Sequence, residues 1–242
     1  MDRRHLDGDR DRRGGCHTSA DLREDEALDT VVRRWREWSQ DAKDIGIQTS
    51  SVLRAAARQG ISAHTARTVS AALHERTGRT AGNGSLMRTA PVALAYLDDE
   101  LALVQAARAV SVLTHYDPEA GDACVLWCLA IRHAILTGLL DARIGLQYID
   151  IDRRDLWASR LDVAAASQPS DFTHNGWVVE ALQGAWCAIA TTPIPQDDPG
   201  TGVFRADHLR LGSTPRCEAA GTPIPSRRSR VDCSAQPTGH RR

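Results

Sequence analysis

From Leu28 to Gly138, and again from Asn175 to Ile189, the apolar residues fall into stripes spaced about 3.6 residues apart, and this period restricts those stretches to helices. Leu28, Val31, Val32, Trp35 and Trp38 share one face, with Arg33, Arg34, Arg36 and Glu37 outside, so a first helix buries that stripe. Asp41 to Gly46 break it. A second helix is predicted to start near Thr49 or Ser50, to carry Val52, Leu53 and Ala56, and to stop at Gly60. Ser62 caps a third, running through Ala66, Val69 and Leu73 to Gly78. A short apolar helix is expected from Pro91 to Leu97. Asp98, Asp99 and Glu100 then place negative charge at the start of a helix burying Leu101, Val104, Ala107, Val110 and Leu113. Asp117 and Pro118 open the longest stripe, Ala120, Ala123, Cys124, Trp127, Ile131 and Ile135, which makes this the expected central helix, ending at Gly138. Residues 139–172 mix Asp and Arg among their apolar residues and give no clear period. Asn175 is expected to cap a last helix through Val178, Leu182, Ala185, Trp186 and Ile189.

Between the third and fourth of these segments lies Gly82-Asn83-Gly84-Ser85-Leu86-Met87-Arg88. Two glycines around an asparagine permit positive φ and leave backbone N–H groups uncovered, which suits a chain wrapping closely around an oxyanion. Leading into a helix start, the stretch is a natural seat for a diphosphate or carboxylate, with a hydroxyl from Ser85 and a charge from Arg88. Asn-Gly is also the commonest turn dipeptide, so an ordinary helix–helix turn fits the same residues.

Three regions follow from composition. Residues 1–20 alternate Asp and Arg with almost nothing apolar and are expected to form a disordered lead. Residues 21–192 form the helical domain. Residues 193–242 are expected to be mostly disordered, apart from a helical turn or two between Phe204 and Leu211. The loss of periodicity from Ser213 onward is what translation of a shifted reading frame would produce, and sequencing the locus decides it. Formal net charge is −1, which argues against a nucleic-acid partner. No apolar run is expected to reach the roughly 18 residues of a membrane span, and the N-terminus lacks a signal-peptide core, so a soluble cytoplasmic protein is expected. Cys124 and Cys128, four apart on an apolar face, read as small core residues in preference to metal ligands.

Taken with Lys43-Asp44-Ile45-Gly46 upstream and Thr114-His115-Tyr116-Asp117-Pro118 downstream, the glycine stretch resembles the ADP-ribosylglycohydrolase family over about residues 28–192. That resemblance implies an all-α, orthogonal helical bundle that removes ADP-ribose from modified side chains, with ADP-ribose or an ADP-ribosylated protein as partner. It also implies two Mg2+ or Mn2+ ions, held by an early Thr-Asp-Asp-Thr motif and a late Asp-x-Asp-Thr motif. Neither motif is found in this sequence. The bundle is therefore expected to be incomplete, to hold no intact metal site and to show impaired activity, as a weak hydrolase, a non-catalytic ADP-ribose binder or a truncated structural fragment. Asp29, Asp98-Asp99 and Asp197-Asp198 are the other candidates for metal ligands, but Asp98-Asp99 reads as helix-start charge, Asp197-Asp198 as a Pro-flanked turn, and none of them is expected to be a ligand.

The resemblance implies roles for individual residues. Asp44 takes the place of an acidic residue beside the metal centre, as general base or substrate-positioning group; by itself it is a loop aspartate facing water. Asn83, Gly84, Ser85 and Met87 line the ADP-ribose cleft. Arg88 either pairs with phosphate or satisfies helix carbonyls. His115 contacts the ribose or the diphosphate, or else helps to cap the helix opened by Asp117. The linkage cleaved and the oligomeric state are not implied.

Overall fold

In the computed structural model, residues 20–204 are described, together with Asp207 and His208. Helix α1 (Asp25–Asp41) opens with Asp25 and Glu26, whose charges suit the positive end of the helix dipole. Helix α2 (Ile47–Gln59) begins directly after Gly46, two residues before the expected caps, with no side chain bonded at its start. Ser62 caps α3 (Ala63–Thr77), accepting the Thr65 N–H at 3.1 Å, and Gly78 closes it in the left-handed conformation that a side chain would resist. Asp99 accepts the Ala102 N–H to start α5 (Glu100–Val112), and Asp117 accepts the Glu119 N–H ahead of Pro118 to start α6 (Pro118–Thr137). Helices α7 (Ile151–Ala166) and α8 (Val178–Ala190) complete an all-α chain whose described residues contain two isolated bridges and no strand.

Helix α6 is the centre. Helices α4 (Gly84–Ala95), α5 and α8 pack around it, and so does a 3-10 segment, Ala142–Tyr148. Ala120 to Leu126 and Cys128 to Ala130 are all buried, so the helix is covered on every side along its first half. Its small residues permit that closeness. By length and composition α6 is also apolar enough to cross a membrane, contrary to the expectation that no such run exists, but 56% of that window is buried inside the bundle. Cys124 and Cys128 are buried free thiols beside Thr89, as core residues would be. Helices α1, α2 and α3 pack against one another on one flank, and α7 and α8 on another.

Three expectations are corrected. Pro91 does not start α4; it lies inside the helix, which begins seven residues earlier at Gly84. In α5 the buried face is Ala102, Leu103, Ala106, Ala107 and Val110, leaving Leu101 63% exposed, and the long stripe of α6 runs out before Ile135, which is 47% exposed. Asn175 does not cap α8; the residue ahead of that helix is Trp177, with no side-chain cap bond.

The segment without a clear period contains α7, and its charges explain why it was hidden. Asp122, fully buried on α6, accepts from Arg108 Nη1 at 2.7 Å, from Arg153 Nε at 2.7 Å and from Trp157 Nε1 at 3.2 Å. Arg154 donates to the Leu146 and Ile149 carbonyls, and Arg160 pairs with Glu119 at 2.7 Å. These arginines of α7 reach inward, so charge does not mark its solvent face.

Beyond α8 an isolated bridge joins Asp198 to Val203 around a turn in which Gly202 has φ 70. His208 Nε2 lies 2.7 Å from the Thr192 carbonyl. The expected lead lies outside the described residues except for Ala20, and so do the tail from Ser213 and most of the turn expected between Phe204 and Leu211.

Candidate functional site

The glycine stretch runs alongside the start of α8 before it turns into α4. Val178 N–H donates to the Ala81 carbonyl at 2.9 Å, Asn83 N–H to the Gly176 carbonyl at 3.1 Å, and Asn83 Nδ2 to the Asn175 carbonyl at 2.6 Å. Positive φ is not what the glycines supply, since neither Gly82 nor Gly84 is in that region. They are needed for close approach. A Cβ on Gly84 would stand 3.0 Å from His115 Cε1 and 3.3 Å from Thr49 Oγ1, and one on Gly82 would stand 3.3 Å from Gln48 Oε1 and His115 Nε2.

Under this segment lies a connected polar layer. Arg88 donates from Nη1 to the Gly84 carbonyl at 2.9 Å and from Nη2 to Thr114 Oγ1, and its guanidinium sits 4.3 Å from the centre of the Trp35 ring. Thr114 Oγ1 in turn lies 2.8 Å from His115 Nδ1. Gln48 Nε2 donates to the Thr80 and Thr114 carbonyls, tying α2 to the same layer. Desolvation pulls Arg88 down to about 10, which leaves it charged at neutral pH. Burial, and then the neighbouring Arg88 charge, push His115 down to about 3, so its ring is neutral. Ser85 Oγ and Arg88 Nε are buried with no hydrogen-bond partner among the described residues.

A cleft of about 470 Å³ opens above the first turn of α4. Of the residues singled out in the sequence, Asp44, Asn83, Gly84, Met87 and Arg88 line it together. Ser85 and His115 do not: they are 0% and 2% exposed and stand behind the segment. Trp35, Trp38, Ile45 and Thr49 complete the wall and were missed as site residues. The helical period puts both tryptophans on the buried stripe of α1, but Trp38 at its end is half exposed. A second cavity, about 390 Å³, lies along the same segment and is lined by Gln48, Arg79, Gly82, Asp117, Glu119 and Trp177 among others. There the half-exposed Trp177 ring is fixed by an Nε1–H bond to Glu119 Oε2 at 3.1 Å.

The match of residues 12–206 to the family model for ADP-ribosylglycohydrolase covers most of the chain. The chain belongs to the ADP-ribosylglycohydrolase family. Neither the comparison with curated proteins nor that with solved structures gives a match.

ADP-ribosylglycohydrolases act on ADP-ribosylated substrates. The residues described here do not fit the pair of divalent ions implied by the resemblance. Hard cations take about six oxygen ligands each, whereas Asp44 is the single carboxylate in the cleft lining and Arg88 brings a positive charge to it. Among the described residues no group of three or more His, Cys, Asp or Glu comes together at metal-binding distance. Three of the other candidate carboxylates are engaged elsewhere: Asp29 accepts the Ala63 N–H, Asp99 caps α5, and Asp198 accepts from Gly200 and Thr201.

Proposed function

We propose that this ADP-ribosylglycohydrolase binds ADP-ribose in the cleft and hydrolyses its glycosidic bond to a modified side chain only slowly. The observation that carries the binding is the polar layer at the start of α4. Uncovered N–H groups and the dipole of a helix N-terminus favour an anion, and the charged Arg88, which lines the cleft, has no ion pair with any described carboxylate. A diphosphate is the part of the ligand that answers to this chemistry. The ribose then lies toward Asp44, and the nucleoside extends into the second cavity, where Trp177 offers a fixed face for stacking.

Hydrolysis adds water to the anomeric carbon and returns a proton to the departing side chain, through a state with positive charge on the sugar. Glycoside hydrolysis is usually divided between two carboxylates. In this reading Asp44, alone among the described carboxylates in the cleft lining, orients or deprotonates water, and no second described acid lines the cleft to protonate the leaving group. Binding without efficient turnover follows. Titration calorimetry is expected to show ADP-ribose binding that chelators leave unchanged and that Ser85→Arg abolishes. A release assay on ADP-ribosylated peptides is expected to show little turnover with or without magnesium. No heat of binding removes the reading, and turnover that rises steeply with magnesium removes its catalytic half.

A further inference from the structure

At the start of α4 the fold leaves buried polar atoms without a partner among the described residues. Beside Ser85 Oγ and Arg88 Nε, His115 Nε2 also makes no hydrogen bond to any described residue, in a ring that is 2% exposed. It faces the gap between Gly82 and Gly84, 3.3 Å and 3.1 Å from the points that their missing Cβ atoms would occupy. Which way this nitrogen acts depends on where the ring carries its proton.

The hydrogen bonds on the other side of the ring decide that. A guanidinium only donates, so Thr114 Oγ1 accepts from Arg88 Nη2. The threonine hydroxyl keeps its own hydrogen, and among the described residues His115 Nδ1, 2.8 Å away, is the one acceptor in reach of it. Nδ1 is then an acceptor, and the single proton of a neutral imidazole sits on Nε2. We infer that Arg88 and Thr114 are positioning residues that lock His115 as an Nε2–H donor aimed through the two glycines at the anion seat. The close approach that the glycines allow is what brings this donor within reach of a ligand oxygen. Burial and the Arg88 charge act in the same direction, since both disfavour a second proton on the ring. This inference rests on the reading of the α4 start as a diphosphate seat, but the proton's position is independent of any ligand.

Nitrogen NMR of the full chain labelled in its histidines measures the tautomer directly, and Thr114→Val identifies the His115 signals as those that move. In the unliganded wild type the ring is expected to be neutral, with its proton on Nε2. In Thr114→Val, which keeps the side-chain shape and removes the relay hydroxyl, the two tautomers are expected to mix, while Thr114→Ser restores the single form. ADP-ribose affinity, measured on the same samples, is expected to fall about tenfold in Thr114→Val and to return in Thr114→Ser. A wild-type proton on Nδ1 overturns the lock, and a shifted tautomer with unchanged ADP-ribose affinity overturns its role. Failure of the wild type to bind ADP-ribose at all overturns the functional reading instead, and leaves the tautomer result standing.

Discussion

Asp122 shows how one side chain can outweigh a stripe of apolar ones. Its carboxylate is buried in the core, and three donors from α5 and α7 converge on it. Removing one partner of a buried charge cluster costs about 3–5 kcal/mol. Asp122→Ala is expected to lose about that much in urea unfolding, because Arg108 loses its ion pair and Arg153 keeps only the exposed carboxylates of Asp150 and Asp152. Nothing in the sequence marked it, for an aspartate at the fifth position of an apolar helix has no periodic signature. Gly84 makes the opposite case, a position flagged by sequence for a reason the structure replaces. The expected need was for positive φ, and the actual one is room for His115. Gly84→Ala puts a methyl group against a ring held by Thr114, and overpacking of this kind costs about 1–3 kcal/mol. A lowered melting temperature and loss of ADP-ribose binding are the expected outcomes. Ser85 and His115 were legible as neighbours of the site but not as a layer beneath it, because depth below a surface leaves no trace in residue spacing.

Element by element, the starts of α3, α5 and α6 and the stops of α3 and α6 were readable because each rests on local chemistry: a capping oxygen, a proline at the first position, or a left-handed glycine. Helix α4 was misplaced for an instructive reason. Proline suits a first turn, yet here it interrupts the interior of a twelve-residue helix and leaves the Met87 carbonyl without its usual donor. Pro91→Ala is expected to raise the melting temperature, since an interior proline costs a helix about 3 kcal/mol, and differential scanning calorimetry reads the change. Unaltered ADP-ribose affinity should accompany it, because Pro91 lies two turns from the anion seat. Helix α7 escaped notice for the reverse reason. Its arginines satisfy buried acceptors, so a rule that sends charge to solvent misread its inner face.

For the molecule as a whole, pH enters through the same buried carboxylate. Burial pushes the Asp122 carboxyl up, but the hydrogen bonds from Arg153 and Arg108 pull it down further, so its net position lies below the ordinary carboxylate value. A group depressed in the folded state stabilises fully above its unfolded value of about 3.9, and that contribution drains away as pH falls through the folded value. Acid unfolding followed by circular dichroism should therefore show wild-type stability falling more steeply below about pH 4 than that of Asp122→Asn. The all-α class and the order of most helices were plain from the period, whereas the meeting of α2, α4 and α8 around the glycine stretch was not, since long-range pairing is invisible to a window of neighbouring residues. That meeting has a bearing on how the protein is made. Asn83 is held by the backbone of Asn175 and Gly176, 92 positions later for the side-chain bond. A ribosome must deliver nearly the entire helical domain before this brace exists, so a nascent chain halted short of residue 175 is expected to leave ADP-ribose alone, and capture on ADP-ribose resin would sort finished molecules from stalled ones.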